Sequence, residues 1–225
     1  MCGRYTLTRF PPEMAEDFGL PEVPDLPPRY NIAPRQHIVS LVNDRDTARP
    51  ALQFLHWGLI PSWVKDTRTF GKPINARAET AAQKPLFRNA LRYRRCLIPA
   101  DGFYEWARQR TGNKPFYIQL CESPAFVFAG LWEHWEGESG EMIDSCVILT
   151  TRPNKIIEPI HNRMPVILKP NDYKLWMDPK VQTIQEVEHL LVPYPAEEMR
   201  VTPVGYRANN PAHDDPECVT PFTRE

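Results

Sequence analysis

The chain has 225 residues, enough to build one hydrophobic core, so a single domain over 1–225 is expected. Hydrophobic residues make up 42% and charged residues 24%, which excludes disordered and collagen-like classes. The formal net charge of −1 gives no global case for nucleic acid, yet residues 1–113 carry 17 Lys+Arg against 11 Asp+Glu while residues 114–225 carry 10 against 17, so one basic face is feasible. Twenty-five prolines, about twice the usual share of roughly 5%, argue for a loop-rich fold over long helical bundles.

In chain order, Pro12 to Leu20 predicts a short helix, with Met14 and Phe18 on one face and Gly19 as its stop. A proline-rich connection from Pro21 to Pro28 follows, and Ile38–Val42 and Ala51–Ile60 read as a strand pair around a polar loop. Glu79 to Arg95 reads as a helix disturbed by Pro85, with a basic end at Arg92, Arg94 and Arg95. Strands are then expected at Cys96–Ile98, Phe103–Ala107, Pro115–Leu120, Phe126–Trp132, Cys146–Thr150 and Pro165–Leu168, separated by turn residues. Helices follow at Asp172–Met177 and Ile184–Leu191, then a strand around Met199–Val204 and a polar tail. Many short strands with few intervening helices predict an α+β fold: a mainly antiparallel, curled or open barrel-like β core with flanking helices.

No apolar run reaches the 18 or so residues of a membrane span, and no signal peptide is evident, so a cytoplasmic protein is expected. The five cysteines, Cys2, Cys96, Cys121, Cys146 and Cys218, are odd in number and lack a C-x-x-C pair, which favours neither disulfides nor zinc. Cys96, Cys121 and Cys146 stand beside apolar residues, where buried thiols are expected.

Cys2 is chemically different from the other four. Once Met1 is removed, it carries a thiol and a free α-amine on adjacent carbons, with reference pKa values of about 8.5 and about 8. Such an aminothiol suits an aldehyde: the amine forms a Schiff base and the thiolate closes a thiazolidine. Proton transfer needs a partner, and two candidates stand out. Strand alternation puts Glu105 on one face with Phe103, where burial would raise its pKa; His161 lies in a loop just before an apolar strand. Asn75 could hold a carbonyl or orient the Cys2 amine, or could cap a helix; Arg77 and Arg4 could bind phosphates, and Trp63 could stack on a base or belong to the core.

The blocks Met1-Cys2-Gly3-Arg4, Arg29-Tyr30-Asn31-Ile32-Ala33-Pro34, Trp57-Gly58-Leu59-Ile60-Pro61, Ile74-Asn75-Ala76-Arg77-Ala78-Glu79-Thr80, Pro99-Ala100-Asp101-Gly102-Phe103-Tyr104-Glu105-Trp106 and His161-Asn162-Arg163-Met164-Pro165 occur in this order. Together they resemble the SOS-response-associated peptidase family. The resemblance implies a sensor of abasic sites in single-stranded DNA that loses Met1 and ends as a covalent thiazolidine crosslink through Cys2. It implies catalytic roles for Cys2, Asn75, Glu105 and His161, and DNA contacts for Arg4, Pro34, Trp63, Arg77 and Thr150. No cofactor or metal is implied, and the expected partner is DNA, met by a monomer found at the nucleoid, with replication-fork proteins as further candidates. Two other readings compete: an N-terminal-nucleophile hydrolase of the glutamine amidotransferase kind, whose Asn-Gly and Gly-Asp pairs are missing here, and a non-catalytic single-strand binder, which leaves Cys2 without a purpose.

Overall fold

A computed structural model describes residues 2–20, 26–45, 47–109 and 112–222. Met1 and part of the proline-rich connection lie outside the described residues. In chain order the elements are β1 (Tyr5–Leu7), α1 (Pro12–Asp17), β2 (Arg29–Ile32), β3 (His37–Asn43), β4 (Pro50–Trp57), β5 (Asn75–Arg77), α2 (Ala78–Ala81), α3 (Arg88–Tyr93), β6 (Arg95–Ala100), β7 (Gly102–Gln109), β8 (Gly112–Leu120), β9 (Phe126–Glu136), β10 (Met142–Thr151), β11 (Met164–Pro165), β12 (Ile167–Leu168), α4 (Tyr173–Met177), α5 (Ile184–Val187) and β13 (Met199–Pro203).

The strands form two sheets. The first is antiparallel in the order β13-β8-β7-β1-β2. In the second, β10 pairs β4, β4 pairs β3, β3 pairs β6, β6 pairs β9, and β9 pairs β10 again, so five strands close into a barrel without a free edge. Only the β10 pairings with β4 and β5 are parallel there. Closure demands close approach, and Gly130 permits it: a Cβ at that position would lie 2.6 Å from the Cys96 sulfur of the neighbouring strand.

Alternation along the strands divides the core. Cys146 and Ile148 of β10 join Tyr5, Ile32, Phe103 and Ile118 of the first sheet in one cluster; Val147 and Leu149 pack instead with Phe87, Leu91 and Trp176 of the helices. The α+β expectation therefore holds, with the barrel and the first sheet sharing one apolar layer. The helix expected over Glu79–Arg95 is two short helices, because residues 82–87 around Pro85 leave the helical path. At its basic end Arg92 is exposed, Arg95 is buried and donates to the Leu91, Trp176 and Asp178 carbonyls, and Arg94 pairs with Glu133. Cys121, expected buried, is exposed, since it follows β8 in a turn. The expected polar tail instead packs on the outer face of the first sheet, where Val204, Ala208 and Cys218 cluster with Tyr104 and Tyr117. Among the described residues, no helix is long and apolar enough to cross a membrane.

Asp101 ties β1 to β7. Its carboxylate accepts from the Thr6 and Thr8 hydroxyls and from the Thr8 and Arg9 backbone N–H groups, at 2.6 Å and 3.1 Å for the latter two. Replacing a carboxyl group that accepts from four donors leaves several of them unmet. Asp101→Asn is expected to cost about 2–3 kcal/mol in urea unfolding with an unchanged m-value; a loss within error would show that the network is dispensable.

Candidate functional site

Cys2 enters the core just before β1 and is fully buried. Pairing of the N-terminal strand with β7 continues outward to the Tyr104 N–H, which donates to the Arg4 carbonyl at 3.0 Å, so the chain from Cys2 to Arg4 runs beside Glu105. The Arg4 backbone N–H in turn donates to the Cys2 sulfur. Burial, and then the charge of Glu105, push the thiol pKa far up, so it is held protonated.

Glu105 lies on β7 with its side chain 3% exposed, on the same inward face as Phe103 as alternation requires. Burial raises its pKa, against the opposing pull of the nearby His161. The His161 Nδ1 is 4.0 Å from Glu105 Oε1. That nitrogen also lies 3.0 Å from the backbone nitrogen of Arg163 and 3.2 Å from the Arg163 carbonyl oxygen, so contacts to Arg163 hold the ring in place.

Asn75 opens β5, which lies parallel to β10 with Asn75 opposite Ile148. Its Nδ2 donates to the Cys2 carbonyl at 2.8 Å. Its Oδ1 is buried and accepts no hydrogen bond among the described residues. The fold thus gathers Cys2, Asn75, Glu105 and His161 from four separate segments.

The remaining expected residues divide. Thr150 is buried at the end of β10 beside Arg77, its register partner, and its hydroxyl lies 3.4 Å from the Ala76 carbonyl. Arg77 is exposed, and its side chain makes no hydrogen bond or ion pair among the described residues; Trp63 is 61% exposed, touching Phe70 edge-on. Pro34 is half-buried in a turn after β2. Arg4 is engaged with the protein itself: Nη1 donates to Asn31 Oδ1 at 2.8 Å and the Ala208 carbonyl at 2.6 Å, and the guanidinium stacks over Trp106 at 5.8 Å. A cavity of about 520 Å³ lined by Tyr30, Tyr117 and Arg200 lies on the outer face of the first sheet, not at Cys2.

Sequence reasoning assigned no role to Arg163, whose guanidinium clasps Glu79 through two bonds of 2.8 Å and also donates to the Thr150 carbonyl. This clasp fixes the His161 loop against α2 and β10, and holds the Glu79 carboxyl below its usual range. The available signal was that both residues fall in the ordered blocks, 84 positions apart.

A protein-family model described as SOS response associated peptidase (SRAP) matches residues 1–211. The chain belongs to that family. It is 44% identical over 224 residues to the abasic site processing protein YoqW of Bacillus subtilis (strain 168), covering 97% of this chain and 99% of that protein. It is 31% identical over 221 residues to the abasic site processing protein HMCES of Xenopus tropicalis, covering 85% of this chain and 65% of that one. A crystal structure of a protein from Bacteroides thetaiotaomicron superposes with a TM-score of 0.84 at 25% identity, covering 99% of this chain and all of that one. A second, from Bordetella bronchiseptica, gives 0.73 at 26%, covering 91% of this chain.

The raised pKa of Glu105 has a stability consequence. Below the ordinary carboxylate value of about 4.3 the group is neutral in both states and costs nothing; as pH rises toward its raised folded value, the unfolded chain ionises first and folding weakens. Glu105→Gln is therefore expected to melt higher than the parent at pH 7 and equally near pH 3.5. Thermal melts across that range check the sign, and a variant less stable at pH 7 would contradict it.

Proposed function

We propose that this protein captures abasic sites in single-stranded DNA by a covalent bond to Cys2, after Met1 has been removed by its own chemistry or by an aminopeptidase. The observation that carries the reading is the convergence on Cys2: Asn75 holds its carbonyl at 2.8 Å, Glu105 lies close enough to act on its thiol, and His161 stands 4.0 Å from Glu105. Kinship to proteins named for abasic site processing supports the substrate.

In the proposed reaction the freed α-amine attacks the aldehyde carbon of the ring-opened deoxyribose. The carbinolamine then loses water, with Glu105 delivering a proton to the departing hydroxyl. Burial suits Glu105 to this task, because raising its pKa favours the protonated form that a general acid needs. The Cys2 sulfur next bonds to the carbon of the protonated imine, and the thiol proton passes to the Glu105 carboxylate, restoring the acid. Aldehyde plus aminothiol gives thiazolidine plus one water. His161 assists opening of the sugar ring, and Asn75 orients the terminal amine through the Cys2 carbonyl. Arg77 and Arg4 grip flanking phosphates, Trp63 and Pro34 meet bases, and Thr150 lines the site. Attacking as an amine first also suits the resting thiol, which burial keeps protonated until the carbon is already held.

A denaturing gel tests the proposal. The Met1-processed protein with a single-stranded oligonucleotide carrying one abasic site should give a shifted band, absent in Cys2→Ala and slowed on the order of 100-fold in Glu105→Gln. Retention of the band in Cys2→Ala would rule out the thiazolidine.

A further inference from the structure

Outside the Cys2 site, one cluster gathers positive charge without a counter-charge. Arg35 follows Pro34 in the turn before β3, His37 and His56 are register partners on β3 and β4, and Lys72 precedes β5. The two imidazoles meet edge-on with centroids 5.8 Å apart. Neither Arg35 nor Lys72 forms an ion pair among the described residues. His56 faces Lys72, His37 and Arg35, all basic, and together with burial they hold its pKa below the ordinary value. Its Nε2 is buried and makes no hydrogen bond among the described residues.

The backbone is strained at the same place. Of the described non-glycine residues, only Arg35 (φ 74°), Ala48 (φ 55°) and Lys72 (φ 40°) adopt left-handed conformations. Glycine or asparagine would sit there more easily, yet two of the three positions carry long cations that meet across Gly58. Gly58 itself has φ 150°, and a Cβ on it would lie 2.7 Å from Arg35 Nη1 and 3.4 Å from both His56 Nε2 and Lys72 Cβ. The arrangement is braced from both sides: the Arg35 N–H donates to the Trp57 carbonyl at 2.9 Å, and its Nη2 to the Gly71 carbonyl at 3.1 Å. Strain of this kind persists where the surroundings over-determine it, and it concentrates at binding sites.

The cluster is rigidly connected to Asn75. Trp57 Nε1 donates to the Ile74 carbonyl and the Leu59 N–H to the Pro73 carbonyl, both at 2.9 Å, so the segment from Lys72 to Asn75 is pinned. Three residues reach at most about 10 Å, which is within the spacing of a neighbouring nucleotide. Arg77 stands on the opposite side of Asn75 along the same segment.

We infer that Arg35, Lys72 and the paired edges of His37 and His56 form a phosphate subsite that holds the DNA strand on the side of Asn75 away from Arg77. The inference rests on the proposed capture of DNA and names where the backbone is gripped. Gathering like charges is unfavourable in the free protein, and a phosphodiester relieves it, so affinity is drawn from an arrangement already built.

Two measurements test it with undamaged oligothymidylate, which cannot crosslink. The double variant Arg35→Asn/Lys72→Asn places a residue tolerant of left-handed backbone at both positions, so its melting temperature should equal or exceed the parent's while its affinity falls about tenfold or more. Its plot of log affinity against log salt should be shallower by about 0.7 for each lost phosphate contact. In the parent protein, the His56 imidazole resonance should shift on titration with the oligonucleotide and its pKa should rise. Unchanged affinity and salt slope in the double variant, or an unmoved His56 signal at saturation, would overturn the subsite. A His56 shift with inorganic phosphate but not with oligothymidylate would also overturn it, in favour of a free anion. Failure of the capture reading looks different: the parent would leave abasic DNA uncrosslinked while oligothymidylate still moves His56.

Discussion

The hydrogen bond from Asn75 Nδ2 to the Cys2 carbonyl, 2.8 Å long, joins an edge element of the barrel to the N-terminal arm of the first sheet. A bond of this type contributes only about 1 kcal/mol net, too little to hold the arm by itself. The arm is held by β1, paired with β2 on one side and β7 on the other, and by a carboxylate, Asp101, that serves four donors. What the Asn75 bond adds is orientation: it fixes which way the Cys2 peptide faces, and so where an amine on that residue would point. Asn75 can do this only because β5 is registered on β10, a strand of a closed barrel with little freedom to shift.

Electrostatics at the site follow from the same burial. The thiol of Cys2 and the carboxyl of Glu105 are both pushed toward their neutral forms, and each anion would disfavour the other. A cation beside Glu105 lowers the cost of ionising that carboxyl. In the proposed chemistry that cation is the protonated imine, which pairs with the Glu105 carboxylate left by proton transfer and activates the carbon for sulfur.

How far the sequence could reveal this differs from one element to another. The hairpin of β3 and β4 and the long strands β7 to β10 were legible from apolar content and turn residues, and Glu105's inward face followed from alternation alone. The strands missed were β1, β2 and β5, each three or four residues long, with β2 and β5 inside the ordered blocks and β1 just after the first. Their periodicity is too brief to register. The convergence of four segments was invisible because it depends on register between sheets, which local pattern does not encode. Arg163 shows the same limit: its ion pair with Glu79 decides where the His161 loop sits, yet neither residue signals the other.

The C-terminal segment gives the strongest case of function hidden in a featureless stretch. Asn31 is fully buried, and its amide donates to the carbonyls of Asn210 and His213 at 3.0 Å and 2.7 Å, while its Oδ1 accepts from Arg4. Asp214 accepts from the backbone N–H groups of Tyr30 and Asn31 and pairs with Arg29. These bonds connect residues 179 to 184 positions apart to the strand next to β1, through backbone carbonyls of the segment and the carboxylate of Asp214. Because Asn31 and Ala208 share Arg4, and Arg4 lies two residues from Cys2, the segment helps set the position of the arm that carries Cys2. A phosphate approaching Arg4 would therefore meet a guanidinium already aimed and braced, at the cost of some of its hydrogen-bonding capacity. In the proposed capture of DNA, that trade favours placement over raw affinity, with the backbone grip falling to Arg77 on one side of Asn75 and the strained basic cluster on the other.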